Sequence, residues 1–214
     1  MWTISRLGAE EARAVLPELA EVLRDCVDGG ASVSFLPPLA WAEAWRFWER
    51  MLSGLAEGQR ILLTAQQGGQ VVGTVMLELS SAPNSLHRAE VQKLLVHRKA
   101  RRQGIAEALM RAVEKAALEA GRTLLYLDTC KGCAAETLYR KLGWVEVGII
   151  PRFAKQPRGF CDTVIFYKHP TSYVIRKTPD AKREKNAKRG GRSPTPSTGG
   201  EGSVSGRAMP VHPG

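Results

Sequence analysis

The spacing of apolar residues changes along the chain, and each spacing predicts one kind of secondary structure. Short apolar or alternating runs predict strands, whereas apolar residues that recur every three or four positions predict amphipathic helices. Strands are predicted at residues 3–7, 61–66, 71–79, 91–96, 124–127, 144–150 and 163–168. Helices are predicted at residues 16–28, 41–57 and 105–120. This order of elements indicates an α/β fold around one mixed, twisted sheet.

Proline and glycine refine these boundaries. Pro17 fits only in the first turn of its helix, so a short lead-in from Glu10 should precede it. Gly68-Gly69 predicts a two-residue hairpin turn. Residues 151–159 are predicted to form a basic loop, either a solvated connection or a contact for an acidic group of a substrate. The second helix carries a stripe that should pack on the core, formed by Trp41, Trp45, Trp48, Leu52 and Leu55.

Residues 90–120 hold the strongest candidate binding site, because a strand leads there through a basic turn into a helix. A helix that begins after Gly104 leaves backbone N–H groups free, and its dipole attracts anions. Four basic residues crowd the turn: Arg98, Lys99, Arg101 and Arg102. A ligand with several negative charges, such as a diphosphate, fits this turn. The P-loop and dinucleotide-binding glycine patterns are absent, and a solvated basic loop is the alternative interpretation.

Two segments resemble the GNAT superfamily of acetyl-CoA-dependent N-acetyltransferases. Arg101-Arg102-Gln103-Gly104-Ile105-Ala106 resembles its Arg/Gln-x-x-Gly-x-Gly/Ala signature. Residues 135–144 resemble its A-x-x-L-Y-x-K-x-G-F/W segment, a short helix that runs into a strand. The resemblance covers about residues 3–168. RAEVQKLLV together with LDT further resembles the tabtoxin-resistance type, whose members detoxify a β-lactam-related amino acid.

The resemblance implies a fold and a cosubstrate. The GNAT fold has a mixed central β-sheet of about seven strands, with splayed central strands, flanked by about four helices. In the family the first two helices overhang the acceptor site, so one tryptophan of the stripe could wall the pocket. Acetyl-CoA is expected to bind without a metal. The residues expected to bind it are Leu94, Leu95, Val96, Arg98, Arg101, Arg102, Gln103, Gly104, Ile105 and Ala106.

The resemblance also implies catalytic residues. An alkyl amine is only about 0.04% free base at pH 7, so a general base is needed. Glu90 matches the family's base, and Asp128 at the end of the next strand could share its cleft and favour a cationic amine. Tyr139 matches the tyrosine that protonates the departing thiolate, and a backbone N–H near Leu95 would stabilise the carbonyl oxygen.

Each catalytic assignment has a structural alternative. Glu90 could pair with Arg88 or Lys93 on an exposed strand. Asp128 could cap the following turn. Tyr139 could be a core aromatic residue. The family often has Asn seven residues before its tyrosine, where this chain has Gly132.

The spacing of the four cysteines bears on whether they bind a metal or form a redox pair. Cys130 and Cys133 have C-x-x-C spacing, but no second pair or nearby histidines complete a zinc site. Reduced thiols are therefore predicted, with a redox pair as the alternative.

The positive charge is concentrated at one end of the chain. Residues 169–214 carry nine Lys+Arg and three Asp+Glu, a net +6 of the total +10. This Gly/Pro/Ser-rich segment has few large apolar residues, so it is predicted to be a disordered basic tail. Residues 1–168 are predicted to form the acetyltransferase domain.

Neither a signal peptide nor an apolar run long enough for a bilayer is evident, so a soluble cytoplasmic protein without a membrane partner is expected. The predicted partner is a small-molecule amine, resembling an amino acid, toxin or antibiotic. A protein or peptide acceptor and a homodimer stay open. Nucleic-acid binding is expected only weakly, through the tail.

Overall fold

The computed structural model describes residues 1–170 of the 214-residue chain. They form one mixed seven-stranded sheet in the order β1-β2-β3-β4-β5-β7-β6, which confirms the predicted fold class. The strands are β1 (Trp2–Leu7), β2 (Arg60–Gln67), β3 (Gln70–Leu79), β4 (Arg88–Val96), β5 (Leu124–Cys130), β6 (Val145–Gln156) and β7 (Gly159–Lys168). The helices are α1 (Ala9–Ala14), α2 (Leu16–Asp28), α3 (Trp41–Ala56), α4 (Ile105–Glu119) and α5 (Ala134–Lys141). Apart from His169 and Pro170, the predicted tail lies outside the described residues.

The described residues contain five α-helices where about four were expected. The additional helix is α1, which corresponds to the predicted lead-in segment. The chain leaves helical geometry at Val15, and Pro17 then occupies the first turn of α2. Since proline has no N–H to donate to an earlier carbonyl, α1 and α2 cannot merge into one continuous helix.

The strand turns were predicted with mixed success. Gly68 and Gly69 both have positive φ, at +60° and +81°, and they join β2 to β3 as expected. The prediction of a basic loop at residues 151–159 was wrong, because β6 continues to Gln156 and pairs with β7 from Gly159 onward. β6 is an edge strand with mostly exposed side chains. It therefore lacks the one-sided burial pattern that reveals a strand in sequence.

Two apolar cores lie on opposite faces of the sheet. α4 packs on one face through residues such as Leu109 and Val113. α2 and α3 pack on the other, where Trp48 and Leu52 of the predicted stripe are buried. Trp41 at the start of that stripe stays exposed. No helix in residues 1–170 combines the length and apolar character needed to cross a bilayer.

The two central strands separate partway along the sheet. β4 and β5 are parallel and pair at only three positions, from Arg88 with Leu124 to Glu90 with Tyr126. Beyond this point β4 runs on to Val96 and β5 to Cys130 without pairing to each other. The edge of β4 that faces β5 therefore keeps unpaired backbone groups, and the expectation of splayed central strands is confirmed.

Candidate active site

A cleft of about 970 Å³ opens where β4 and β5 separate. Residues 90–96 form one side, and residues 128–135 form the other. Further walls come from the loop at residues 29–36 and from the β6–β7 hairpin at residues 153–156. We call the part of the cleft lined by Arg101, Arg102 and Ala106 the turn end, and the part lined by Glu90, Lys93 and Asp128 the carboxylate end.

The turn end has the backbone geometry expected of an anion-binding helix start. Gly104 is the N-terminal cap of α4 and has a left-handed conformation, with φ +79°. The first backbone bond of α4 runs from the Ala108 N–H to the Gly104 carbonyl, at 3.1 Å. The N–H groups of residues 105–107 precede that bond, so they have no acceptor within the helix. They are available to an anion, and the helix dipole favours one.

The structure brings most of the residues predicted to bind acetyl-CoA into the cleft. The lining residues among them are Leu94, Leu95, Val96, Arg101, Arg102 and Ala106. Arg101 donates from Nε to the Val96 carbonyl at 3.1 Å, which fixes its side chain along the turn. Arg102 has φ +65° and stays exposed at the cleft. Both arginines of the turn end are thus exposed, and Arg101 is in addition braced by its bond to the Val96 carbonyl.

The other predicted residues of the turn do not line the cleft with their side chains. The Gln103 amide oxygen accepts from Gln67 Nε2 at 3.2 Å, and its carbonyl accepts from Trp2 Nε1 at 3.2 Å. Ile105 is buried in the core under α4. Gln103 therefore ties the turn to β1 and β2, while Ile105 could contribute only its backbone N–H to a ligand.

Arg98 is held by Asp25 of α2, a residue that the sequence analysis missed. Asp25 Oδ2 accepts the Arg98 backbone N–H at 2.8 Å, and its Oδ1 accepts from Arg98 Nε at 2.8 Å. His97 Nε2 lies 3.5 Å from the same Oδ1. Burial acts to raise the pKa of Asp25, but the bonds from Arg98 and the charge of His97 outweigh it and lower that pKa. A carboxylate on the apolar face of a predicted helix is the sequence signal that could have found it.

At the carboxylate end, Glu90 and Asp128 project from the same face of the sheet. Their neighbours in sequence, Ala89 on β4 and Leu127 on β5, are buried against the opposite core. Because side chains alternate along a strand, both carboxyl groups point toward the side covered by α2 and α3. Glu90 Oε2 accepts from the Tyr126 hydroxyl at 3.4 Å. The predicted carboxylate pair is thus brought together in one cleft.

The surroundings of Asp128 favour a protonatable carboxyl group. The residue retains exposed surface, yet the cleft withdraws its carboxyl group from part of the solvent. This desolvation raises the pKa of Asp128, and the charge of Lys93 offsets the rise only in part. A raised pKa brings a carboxylate closer to the neutral range in which a general base works best.

Tyr139 is both a core aromatic residue and a cleft residue. Its ring packs 6.0 Å from the rings of Trp144 and Phe166, measured between centroids. It is 6% exposed, and it lines the cleft beside Leu138. Burial, with the charges of Cys133 and Asp128, raises the pKa of Tyr139 far above its usual value. The phenol is therefore neutral and keeps its proton at neutral pH.

Lys93 is a functional candidate that the sequence suggested only as a partner for Glu90. The β3–β4 register shifts between Thr74 and Met76, and Lys93 stands at this bulge with φ +51°. The buried Thr74 hydroxyl donates to the Lys93 carbonyl at 2.8 Å. The bulge puts Lys93 on the α3 side of the sheet, where its Nζ lies 5.3 Å from the Phe47 ring centroid. A bulge depends on the partner strand, so sequence spacing could not reveal it.

The cysteines of the cleft wall differ from their predicted state. Cys130 is joined to Cys161 of β7 in a disulfide, with 6.1 Å between Cα atoms, so the prediction of four reduced thiols was wrong. The partner of Cys130 is not Cys133, because β5 and β7 are neighbours whose pairing brings residue 161 alongside. Cys133 instead contacts the Thr129 hydroxyl at 3.1 Å. The Gly132 N–H, where the family often has Asn, donates to Glu136 at 2.6 Å.

Apolar residues of the α2–α3 segment and of strand β6, not tryptophans, contribute to the remaining wall of the cleft. Phe35 and Leu36 approach it from the segment between α2 and α3, and Phe153 approaches it from the β6–β7 hairpin. Among residues 1–170, the tryptophans of the α3 stripe are absent from the cleft lining. The interpretation of one tryptophan as a pocket wall was therefore wrong, because α3 directs Trp48 into the core.

The chain is similar to known proteins both in sequence and in fold. Residues 18–144 match the acetyltransferase (GNAT) family. N-acetyltransferase 8 of Rattus norvegicus is 31% identical over 131 residues, which cover 54% of this chain and 59% of the rat protein. The chain thus spans less than two thirds of the curated relative that it matches.

Two solved structures share the fold. The ribosomal-protein-alanine N-acetyltransferase of Brucella melitensis superposes with a TM-score of 0.65 at 21% identity, covering 78% of this chain and 99% of that one. The yncA protein of Salmonella typhimurium, solved with its cofactor acetyl-CoA, gives a TM-score of 0.63 at 15% identity. It covers 79% of this chain and 94% of its own.

Proposed function

The chain belongs to the acetyltransferase (GNAT) family, and on this premise we propose that it transfers the acetyl group of acetyl-CoA to a primary amine of a small molecule. One observation carries the proposal. The splay between β4 and β5 begins directly after Glu90, so one cleft contains a strand edge with free backbone groups, two carboxyl groups and a basic helix start.

The turn end fits the diphosphate of acetyl-CoA. The free N–H groups at the start of α4 and the exposed Arg102 supply donors of the kind that phosphate prefers. Arg98 is committed to Asp25, so its proposed contribution is to hold the turn in shape. The edge of β4 at residues 94–96 is not paired to β5, and apart from the Val96 carbonyl, which accepts from Arg101, it supplies backbone groups for an extended pantetheine arm in the manner of an added strand.

The carboxylate end fits attack by an amine. Glu90 is proposed to accept the proton that an ammonium acceptor must lose, and Asp128 to assist at the same nitrogen. A backbone N–H near Leu95 is proposed to stabilise the charge that develops on the thioester oxygen. The neutral Tyr139 is proposed to protonate the departing thiolate. Attack forms the N–C bond, cleavage breaks the C–S bond, and the products are the acetamide and coenzyme A.

The shape of the cleft supports a small acceptor. Phe35, Leu36 and Phe153 line the cleft and supply apolar surface against which the body of a small acceptor could pack. The likeness of RAEVQKLLV to the tabtoxin-resistance type supports an amino acid-like acceptor and a role in detoxification. A protein acceptor would instead require an open groove.

The test is an assay of acetyl-CoA consumption across a panel of small amines, amino acids and antibiotics. The proposal predicts turnover of at least one small amine and stoichiometric release of coenzyme A. A cell lysate treated with the protein and acetyl-CoA, analysed by mass spectrometry, tests the protein-acceptor alternative. Acetylation confined to proteins in the lysate would overturn the small-molecule assignment.

A further inference from the structure

The protein holds one lysine of the carboxylate end in an unfavourable backbone conformation. Lys93 has φ +51°, a region that side-chain-bearing residues rarely adopt. The conformation is maintained by the β3–β4 bulge and by the bond from the buried Thr74 hydroxyl to the Lys93 carbonyl. Backbone strain of this kind persists only where surrounding structure enforces it, and it is concentrated at functional sites.

The bulge gives Lys93 a place on the acceptor side of the cleft. Without it, strand alternation would direct residue 93 to the same face as Val91, which is buried under α4. With it, Lys93 shares the cleft with Glu90 and Asp128, and its Nζ lies over the ring of Phe47. Three ionisable side chains, two acidic and one basic, therefore line one end of the cleft.

The ammonium group of Lys93 lines the same end of the cleft as these carboxyl groups but does not form a close ion pair with them. Among residues 1–170, no ion pair at 4.0 Å or closer involves Lys93. Burial lowers the pKa of Lys93, and the charges of Glu90 and Asp128 compensate only in part. A half-buried cation with incomplete compensation gains from an anion that arrives with a ligand.

We propose that Lys93 binds a carboxylate of the acceptor, so that the acceptor is an amino acid-type molecule carrying both an amine and a carboxylate. This inference rests on the proposed acetyl transfer and names the substrate class of the same site. The acceptor's ammonium group faces Glu90 and Asp128, and its carboxylate faces Lys93. Each charged group of the zwitterionic ligand then faces a protein group of opposite charge.

The same charges select against other anions. A phosphate monoester carries about two negative charges at neutral pH, and at the carboxylate end it would face the carboxyl groups of Glu90 and Asp128 as well as Lys93. A carboxylate carries one charge, which one ammonium group neutralises. An acceptor with an amine but no anion, such as a diamine, would leave the charge of Lys93 only partly compensated, by Glu90 and Asp128.

The test compares acceptor pairs that differ only by the α-carboxylate, L-lysine with cadaverine and L-phenylalanine with phenethylamine. For the wild type we expect kcat/KM to favour the amino acid of at least one pair by roughly 10- to 150-fold, the range of one hydrogen bond to a charged group. Lys93→Met should abolish that preference by raising KM for the amino acid, with little change for the matched amine. Lys93→Arg should restore part of the preference, and Lys115→Met, an exposed lysine of α4, should leave it unchanged.

Three outcomes would overturn the inference. The first is an equal fall in kcat/KM for both members of a pair in Lys93→Met. The others are a wild-type preference for the amine that lacks the carboxylate, and no turnover of either amino acid. Calorimetry with acetyl-CoA alone separates these from failure of the proposed function. If the wild type does not bind acetyl-CoA, the acetyl-transfer proposal fails. If it binds acetyl-CoA and acetylates only amines that lack a carboxylate, only the assignment of Lys93 fails.

Discussion

The two ends of the cleft are built in opposite ways. At the turn end, two of the basic side chains are braced by the protein itself, since Asp25 holds Arg98 and Arg101 donates to the Val96 carbonyl. At the carboxylate end, Lys93 and Asp128 share a partly desolvated space, and neither takes part in an ion pair of the described residues at 4.0 Å or closer.

This difference matches what each end is proposed to bind. A diphosphate can be held by a preformed turn, because its charge and shape do not change during acetyl transfer. The acceptor amine must change its protonation state, so the groups around it need pKa values that respond to their surroundings. The chemistry proposed for each end therefore accounts for the braced side chains at the turn end and for the absence of close ion pairs to Lys93 and Asp128 among the described residues.

The largest effect is expected from removing the proposed base at the carboxylate end. Glu90→Gln keeps the size of the side chain but cannot accept the amine proton, so kcat should fall by about 10²- to 10⁴-fold while acetyl-CoA affinity stays near normal. Higher pH should partly rescue the variant, because more of the amine is then already deprotonated. The measurement is a pH–rate profile together with calorimetry of acetyl-CoA binding.

Asp128→Asn is the matched comparison for that experiment. The pKa of Asp128 is raised, so its carboxylate should become protonated at a higher pH than an ordinary aspartate. The acidic limb of the wild-type rate profile should therefore shift to higher pH. If Glu90→Gln keeps wild-type turnover at pH 7, or if its defect is independent of pH, the principal base is Asp128 instead.

At the turn end, the next largest effect is expected from Gly104→Val. Gly104 has φ +79°, and the position that a Cβ would occupy there is open space, so the substitution strains the backbone and obstructs a ligand without creating a clash inside the protein. Loss of one charge-assisted contact would weaken acetyl-CoA binding by roughly 10- to 150-fold. Calorimetry would measure this loss directly.

Gly121→Val provides the control for Gly104→Val. Gly121 follows the other end of α4, also has positive φ at +71°, and also has open space around it. The two variants should lose similar stability, but only Gly104→Val should lose acetyl-CoA affinity. Equal affinity losses would mean that strain in α4, not the turn, accounts for the effect.

A smaller effect is expected from removing the brace of the turn end. Asp25→Asn should lower the free energy of unfolding by about 2 kcal/mol, because the amide removes the buried charge and offers one acceptor oxygen to the two donors of Arg98. The pKa of Asp25 is lower in the folded state, so its stabilisation is present above the unfolded pKa of about 3.9 and is lost as pH falls through the folded value.

Urea unfolding between pH 3 and pH 7 tests this dependence. The wild type should lose more stability than Asp25→Asn as the pH falls below about 4. Glu49→Gln, at an exposed carboxylate of α3, should behave like the wild type. A stability difference between wild type and Asp25→Asn that does not change with pH would show that the charge of Asp25 is not what braces the turn.

The smallest effect is expected from truncation after Pro170. Both ends of the cleft are formed by residues 1–170, and the composition of residues 171–214 offers little apolar surface to bury. The truncated protein should match the full chain in thermal stability and in kcat/KM. Loss of turnover or of soluble protein would show that the tail contributes to one of the two ends.

The turn end could be predicted in large part because its requirements are local. A glycine with positive φ, a helix that starts immediately after it and clustered arginines are properties of neighbouring residues, so residues 101–106 carried the signal. Glu90 and Asp128 were also found, because each stands at a readable position in a strand and alternation assigns its face.

The remaining features depend on segments that are distant in sequence. Asp25 meets Arg98 across 73 positions, and Cys130 meets Cys161 because β7 lies beside β5. The orientation of Lys93 depends on a bulge against β3, and a one-residue slip in that register would direct its side chain to the other face. Such contacts depend on which strands pair and in which register, and the sequence of a single strand does not identify its partner.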